Sequence, residues 1–137
     1  LILVDTGPLV ALFDPADASH GHCKAILATV AEPLFTTVPV LTEAFHLLNP
    51  DSIGARRLMD FVSARGLNLW YLDDQALTRA FALMVRYADH PMDLADASLV
   101  VLAETRRSHK VFTIDRSDFT TYRIQNGHQQ SAFEILE

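Results

Sequence analysis

Five acids in this chain stand where a carboxylate is costly or oddly placed: Asp5, Glu43, Asp93, Asp96 and Asp115. Asp5 ends the apolar run Leu1-Ile2-Leu3-Val4, and Asp115 ends Val111-Phe112-Thr113-Ile114. Asp93 and Asp96 are three residues apart, so on a helix they share a face. Apolar residues then follow on nearly every side through Ala103. Glu43 lies among Val40, Leu41, Ala44, Phe45, Leu47 and Leu48. A carboxylate buried there needs a partner or a metal. On an exposed side it would instead be stabilised by the dipole at the helix start. Carboxylates brought within about 4 Å of one another repel by roughly 4 kcal/mol per pair at an effective dielectric near 20. Some must then stay protonated, or a divalent cation must neutralise them. An all-oxygen donor set without His or Cys favours Mg²⁺ or Mn²⁺ over zinc. Such sites are suited to attack on a phosphodiester, because the ion acidifies bound water and clamps the non-bridging oxygens.

For the acids to meet, strands and helices must carry them to one edge. Residues 1–4 read as a short strand buried on both faces. Thr6 is the expected cap of the next helix, which tolerates Pro8 in its first turn and stops at Asp14-Pro15. Ser19 is the expected cap of a second helix through about Val30. It carries His20 and His22, which at a spacing of two point to different sides and fit surface histidines. Leu34–Val38 reads as the second strand, and Pro39 opens a helix that bears Glu43 and runs to about Leu48. Ser52 caps a helix to about Arg65, with Arg56 and Arg57 read as solvated charges and Gly66 as its C-terminal cap. Leu67–Leu72 is expected as the third strand, followed by a helix from Asp73 or Asp74 to about Ala88. The Asp93/Asp96 segment is a mostly buried helix, and Val111–Ile114 is the fourth strand. Asp118 is the expected cap of the turn after Asp115, and Ser131–Leu136 a last edge strand. Alternating strands and helices imply a three-layer α/β/α fold with a central parallel sheet, as one domain over 1–137. In such sheets ligands gather at the carboxyl ends of the strands.

Composition narrows the classes. With 137 residues, half of them hydrophobic, the chain has material for one packed core. Its apolar runs stop well short of the roughly 20 residues a spanning helix needs. No basic lead-in precedes the first strand, so no signal peptide is expected, and Leu1 suggests numbering from just inside the natural start. The lone Cys23 fits a reducing cytoplasm. The net charge of −6 argues against coating nucleic acid by electrostatics. Without the five acids above, however, the remainder nearly balance the eleven Lys and Arg.

Taken together, Val4-Asp5-Thr6-Gly7-Pro8-Leu9, the Glu43 helix, Met92-Asp93-Leu94-Ala95-Asp96-Ala97-Ser98 and Thr113-Ile114-Asp115-Arg116-Ser117-Asp118-Phe119 resemble the ordered motifs of the PIN domain. That is the metal-dependent ribonuclease fold of VapC-type toxins from bacterial toxin–antitoxin pairs. The resemblance implies Asp5, Glu43, Asp96 and Asp115 as catalytic, metal-binding acids, with Asp93 as an additional ligand and Thr6 orienting Asp5 or bound water. It also implies RNA as substrate, Mg²⁺ or Mn²⁺ as cofactor, a homodimer and an inhibiting antitoxin. The chain departs from the family's toxins in its scattered basic residues. Arg116 is the best-placed phosphate contact. Other readings are a housekeeping RNA-processing nuclease, an Asp-based phosphoryl-transfer protein and a non-catalytic binding module. Gly7 stands where a haloacid-dehalogenase-like enzyme would want its second Asp, and Lys110 precedes its strand where a receiver domain would want it after one.

Overall fold

The computed structural model describes residues 1–137. Its elements run β1 (Ile2–Val4), α1 (Thr6–Phe13), α2 (His20–Thr29), β2 (Leu34–Thr36), α3 (Val38–Leu48), α4 (Ile53–Ser63), β3 (Asn68–Leu69) and α5 (Asp74–Arg86). They continue through α6 (Leu94–Arg106), β4 (Lys110–Phe112), α7 (Arg116–Thr121), β5 (Arg123–Asn126), β6 (Gln129–Ala132) and β7 (Glu134–Leu136). β1 is wholly buried because it is the central strand. It pairs in parallel with β2 on one side (Leu3 opposite Phe35) and with β4 on the other (Leu3 opposite Val111). The sheet order is β3-β2-β1-β4-β7, all parallel, so the winding reverses between β1 and β4. Helices pack around this sheet in the α/β/α arrangement. The mostly apolar α6, buried from Ala97 to Ala103, lies against β1, α3, α5 and β5. No helix is long and apolar enough to cross a membrane.

Several expected boundaries move. β2, β3 and β4 stop at Thr36, Leu69 and Phe112, earlier than their apolar runs suggest. In β2 the reason is Pro39, whose place in the first turn of α3 lets that helix begin at Val38. After β4 the chain turns outward, leaving Ile114 exposed. Ser131–Leu136 is not one strand. Its first part belongs to an antiparallel β5–β6 hairpin that turns at Gly127 (φ 64°), and only Glu134–Leu136 joins the sheet. Nor does Gly66 supply the left-handed residue after α4, which is Arg65 at φ 62°. A Cβ on Gly66 would come within 2.2 Å of the Phe61 ring, so close packing demands the glycine there.

One buried contact aligns the two helices that carry acids. Ser98 Oγ donates to Ala95 O at 2.6 Å, which leaves Thr37 Oγ1 as the donor in the 2.6 Å bond between the two hydroxyls. This fixes the start of α3 against the first turns of α6.

Candidate active site

Helices that follow β1, β2 and β4 begin at the carboxyl edge of the sheet, and α6, which leads back into β4, begins there too. Their N-termini surround an open cleft of about 780 Å³ at the point where the strand order reverses. Asp5, Asp17, Glu43, Asp93, Asp96, Asp115 and Asp118 line it, and Arg116 is its only cationic side chain.

Asp5, at 7% exposure, is the N-cap of α1; Thr6, expected to be the cap, is the helix's first residue. The backbone N–H of Thr6 donates to Asp5 Oδ1 at 2.8 Å, and the Thr113 hydroxyl donates to Oδ2 at 2.7 Å. That hydroxyl also accepts from the Asp115 N–H at 3.0 Å, tying the ends of β1 and β4 together. Burial pushes Asp5 up to about 6, with Glu43 and Asp93 adding to the shift and both hydrogen bonds opposing it.

Asp93 caps α6 by accepting from the Asp96 N–H at 2.8 Å. Asp96, half-buried in the first turn, takes a 2.7 Å hydrogen bond from the Tyr122 hydroxyl on Oδ2. Burial pushes its carboxyl to about 8, and Asp5, Asp93 and Asp118 add to the effect while Tyr122 opposes it. Burial and the nearby carboxylates raise the Tyr122 phenol well above its ordinary range, so it remains a donor. Glu43 is half-buried. Burial and Asp93 raise it, and no protein group hydrogen-bonds its carboxylate.

At the far wall, Asp115 is the cap of α7, accepting from the Asp118 N–H at 3.1 Å. This corrects the expectation that Asp118 caps the turn. Asp118 lies within the helix and pairs with His90 (Nε2 to Oδ1, 2.6 Å), its own carboxyl raised by burial. Arg116 is exposed on the cleft and pairs with Glu137. Arg56 and Arg57 lie outside the cleft, as do His20 and His22; His20 Nδ1 donates to Ala11 O at 2.7 Å.

A model of the PIN domain family matches residues 2–123. The chain belongs to the PIN domain family. It is 26% identical over 129 residues to Ribonuclease VapC26 of Mycobacterium tuberculosis, a match covering 92% of this chain and 95% of that one. The crystal structure of M. tuberculosis VapC20, titled as a sarcin–ricin loop cleaving toxin, superposes with a TM-score of 0.79 at 22% identity, covering 86% of this chain and 92% of the other. A toxin–antitoxin complex from Klebsiella pneumoniae superposes at 0.69 and 20% identity, covering 88% and 92%. These two likenesses carry the fold.

Does this PIN domain's donor set fit a hard divalent cation? All the candidate ligands are carboxylates, and the Thr6 hydroxyl is buried beside Asp5 without any hydrogen-bond partner. An orphaned buried hydroxyl in a polar cleft suits a bound water, since each such group is otherwise left at a cost. No three acids converge tightly enough to chelate an ion by themselves. Mg²⁺ typically keeps several waters and takes one or two carboxylates, so the open arrangement fits it. The sequence reading missed Thr113, Tyr122 and His90. Thr113 had a signal in the alternation Thr113-Ile114-Asp115, which returns its side chain to the side of the acid. Tyr122, 26 residues from Asp96, had none.

Proposed function

We propose that this PIN domain is a Mg²⁺- or Mn²⁺-dependent endoribonuclease and the toxin of a VapC-type toxin–antitoxin pair. The observation that carries this reading is that Asp5, Glu43, Asp93, Asp96 and Asp115, from four separate parts of the chain, line one cleft at the switch point of a PIN-family sheet. Kinship to a protein named Ribonuclease VapC26 supports RNA as substrate, and likeness to a toxin–antitoxin complex supports an inhibitory protein partner. Of Asp5, Glu43, Asp96 and Asp115, one or two would hold the metal directly and the others through its waters, with Asp93 as the additional acid. When bound, the ion supplies Lewis acidity, lowering the pKa of water and offsetting phosphate charge.

The protein's own groups do the placing. Asp5 is immobilised by donors on both oxygens, so the inner end of the site does not rearrange when substrate arrives. The Thr6 hydroxyl, buried beside Asp5 with no protein partner, would orient Asp5 or a bound water. Arg116 contacts a phosphate of the RNA after giving up its pairing with Glu137. A cleft so rich in acids repels an RNA backbone until cations fill it, which makes substrate binding depend on metal. The same opening is where an antitoxin segment would sit. A homodimer acting in the cytoplasm completes the reading.

The test is cleavage of end-labelled single-stranded and hairpin RNAs by the purified chain with Mg²⁺, with Mn²⁺ and with EDTA. Internal cuts with either ion, abolished by chelation, are expected. Intact RNA under every condition overturns the proposal.

A further inference from the structure

The Tyr122 ring is fully buried, yet its hydroxyl ends on an acid of the cleft. A core position of this kind needs only a ring, and phenylalanine would fill it without a polar atom to satisfy. The hydroxyl's partner is Asp96 Oδ2, while Oδ1 accepts no protein hydrogen bond and is not sealed from solvent. The ring cannot swing. Tyr87, Phe119 and His90 meet it edge-on with centroids 5.3, 5.3 and 5.9 Å away. His90 is itself anchored on Asp118, and the N–H of Arg123, the next residue after Tyr122, donates to Tyr87 Oη at 3.0 Å. The direction of the phenol O–H is therefore set by packing on one side and by the entry into β5 on the other.

We infer that Tyr122 is a positioning residue of the nuclease site, holding one oxygen of Asp96 so that the other faces the metal. This rests on the reading of Asp96 as a metal ligand. A carboxylate with one oxygen anchored has its plane fixed, and outer groups of this type typically change metal affinity or activity by about 10–100-fold when removed. It gives the segment after α7, which supplies none of the candidate ligands, a part in the chemistry.

The experiment compares the wild-type chain with Tyr122→Phe and Phe133→Leu. It measures melting temperature without metal, Mn²⁺ affinity by calorimetry, the Mn²⁺ concentration for half-maximal RNA cleavage, and KM for RNA. Tyr122→Phe is expected to keep its fold, to bind Mn²⁺ about 10–100-fold more weakly, and at saturating Mn²⁺ to keep its KM and regain most cleavage. Phe133→Leu disturbs the same aromatic cluster through Phe119, which it meets edge-on at 5.3 Å, so it is expected to melt lower with Mn²⁺ affinity unchanged. Wild-type Mn²⁺ affinity in Tyr122→Phe overturns the inference, as does failure of that variant to fold, because the hydroxyl would then be a structural tie only. Equal weakening of Mn²⁺ binding in both variants also overturns it. If the wild-type chain itself neither binds Mn²⁺ nor cuts RNA, the nuclease reading falls and takes this inference with it.

Discussion

The two sides of the cleft are built differently. On the inner wall, Asp5 and Asp96 are withdrawn from water and held by hydroxyls from distant parts of the chain, Thr113 and Tyr122. On the rim, Glu43 accepts nothing from the protein, and Asp93 and Asp115 are exposed and capped only by backbone of their own helices. Wall acids are fixed in direction and reluctant to ionise without a cation; rim acids are free to adjust to whatever enters. Preorganised charge is most effective where it need not move during reaction. On the proposed reading the wall would set the position of the ion, and the rim would accommodate ligand waters and substrate.

The sharpest way to break this contrast is to neutralise the wall. Asp5→Asn and Asp96→Asn are each expected to reduce RNA cleavage by about 10²–10³-fold or more. They differ in stability. Asn at 96 can still accept from Tyr122 with its amide oxygen, so metal-free Asp96→Asn is expected to melt at or above wild type. Asn at 5 has one oxygen for two donors, and its melting temperature is expected to fall. Full activity in either purified variant would remove the wall from the mechanism. On the rim the effect is smaller. Glu43→Gln, acting at the outer side of the ion, is expected to cost about 10–100-fold in cleavage or in Mn²⁺ requirement. A loss as large as that of Asp96→Asn would erase the distinction.

The smallest effect is on stability. Unfolded aspartates titrate near 3.8, whereas the folded wall holds Asp5 at about 6 and Asp96 at about 8. Between these limits the native chain binds more protons than the unfolded one, so stability falls as pH rises. The metal-free melting temperature is expected to decline from pH 5 to pH 8. Asp96→Asn flattens the upper half of that decline, and saturating Mn²⁺ abolishes it. A flat profile in the metal-free wild type would show that the wall is not desolvated.

Much of the architecture was readable from local pattern. The unbroken apolar run before Asp5 marks a strand with two buried faces, and the three-residue spacing of Asp93 and Asp96 marks a helix start. Where reading failed, the deciding contact was tertiary or finely local. Thr6 looks like a cap, but Asp5 takes that role because the helix begins as soon as β1 ends. Asp115 displaces Asp118 because α7 already begins at Arg116, which places Asp118 inside its first turn. The hairpin was signalled by Asn126-Gly127, yet its strands are largely exposed and lack the alternation that marks a half-buried strand. Gly66 is set by a ring five residues earlier that no helix-capping rule considers. The Tyr122–Asp96 bond joins the end of α7 to the start of α6, and periodicity cannot report a contact between elements.

Because β1 is the middle strand, the site's deepest acid is contributed at residue 5 while its neighbouring strand ends at residue 112 and the hydroxyl that grips it is at 113. During synthesis, the first strand and its acid leave the ribosome long before their partners exist. No partial product ending ahead of β4 can assemble the cleft. Any activity of this cleft would thereby be deferred until nearly all of the domain has been translated, a consequence of the order of the strands.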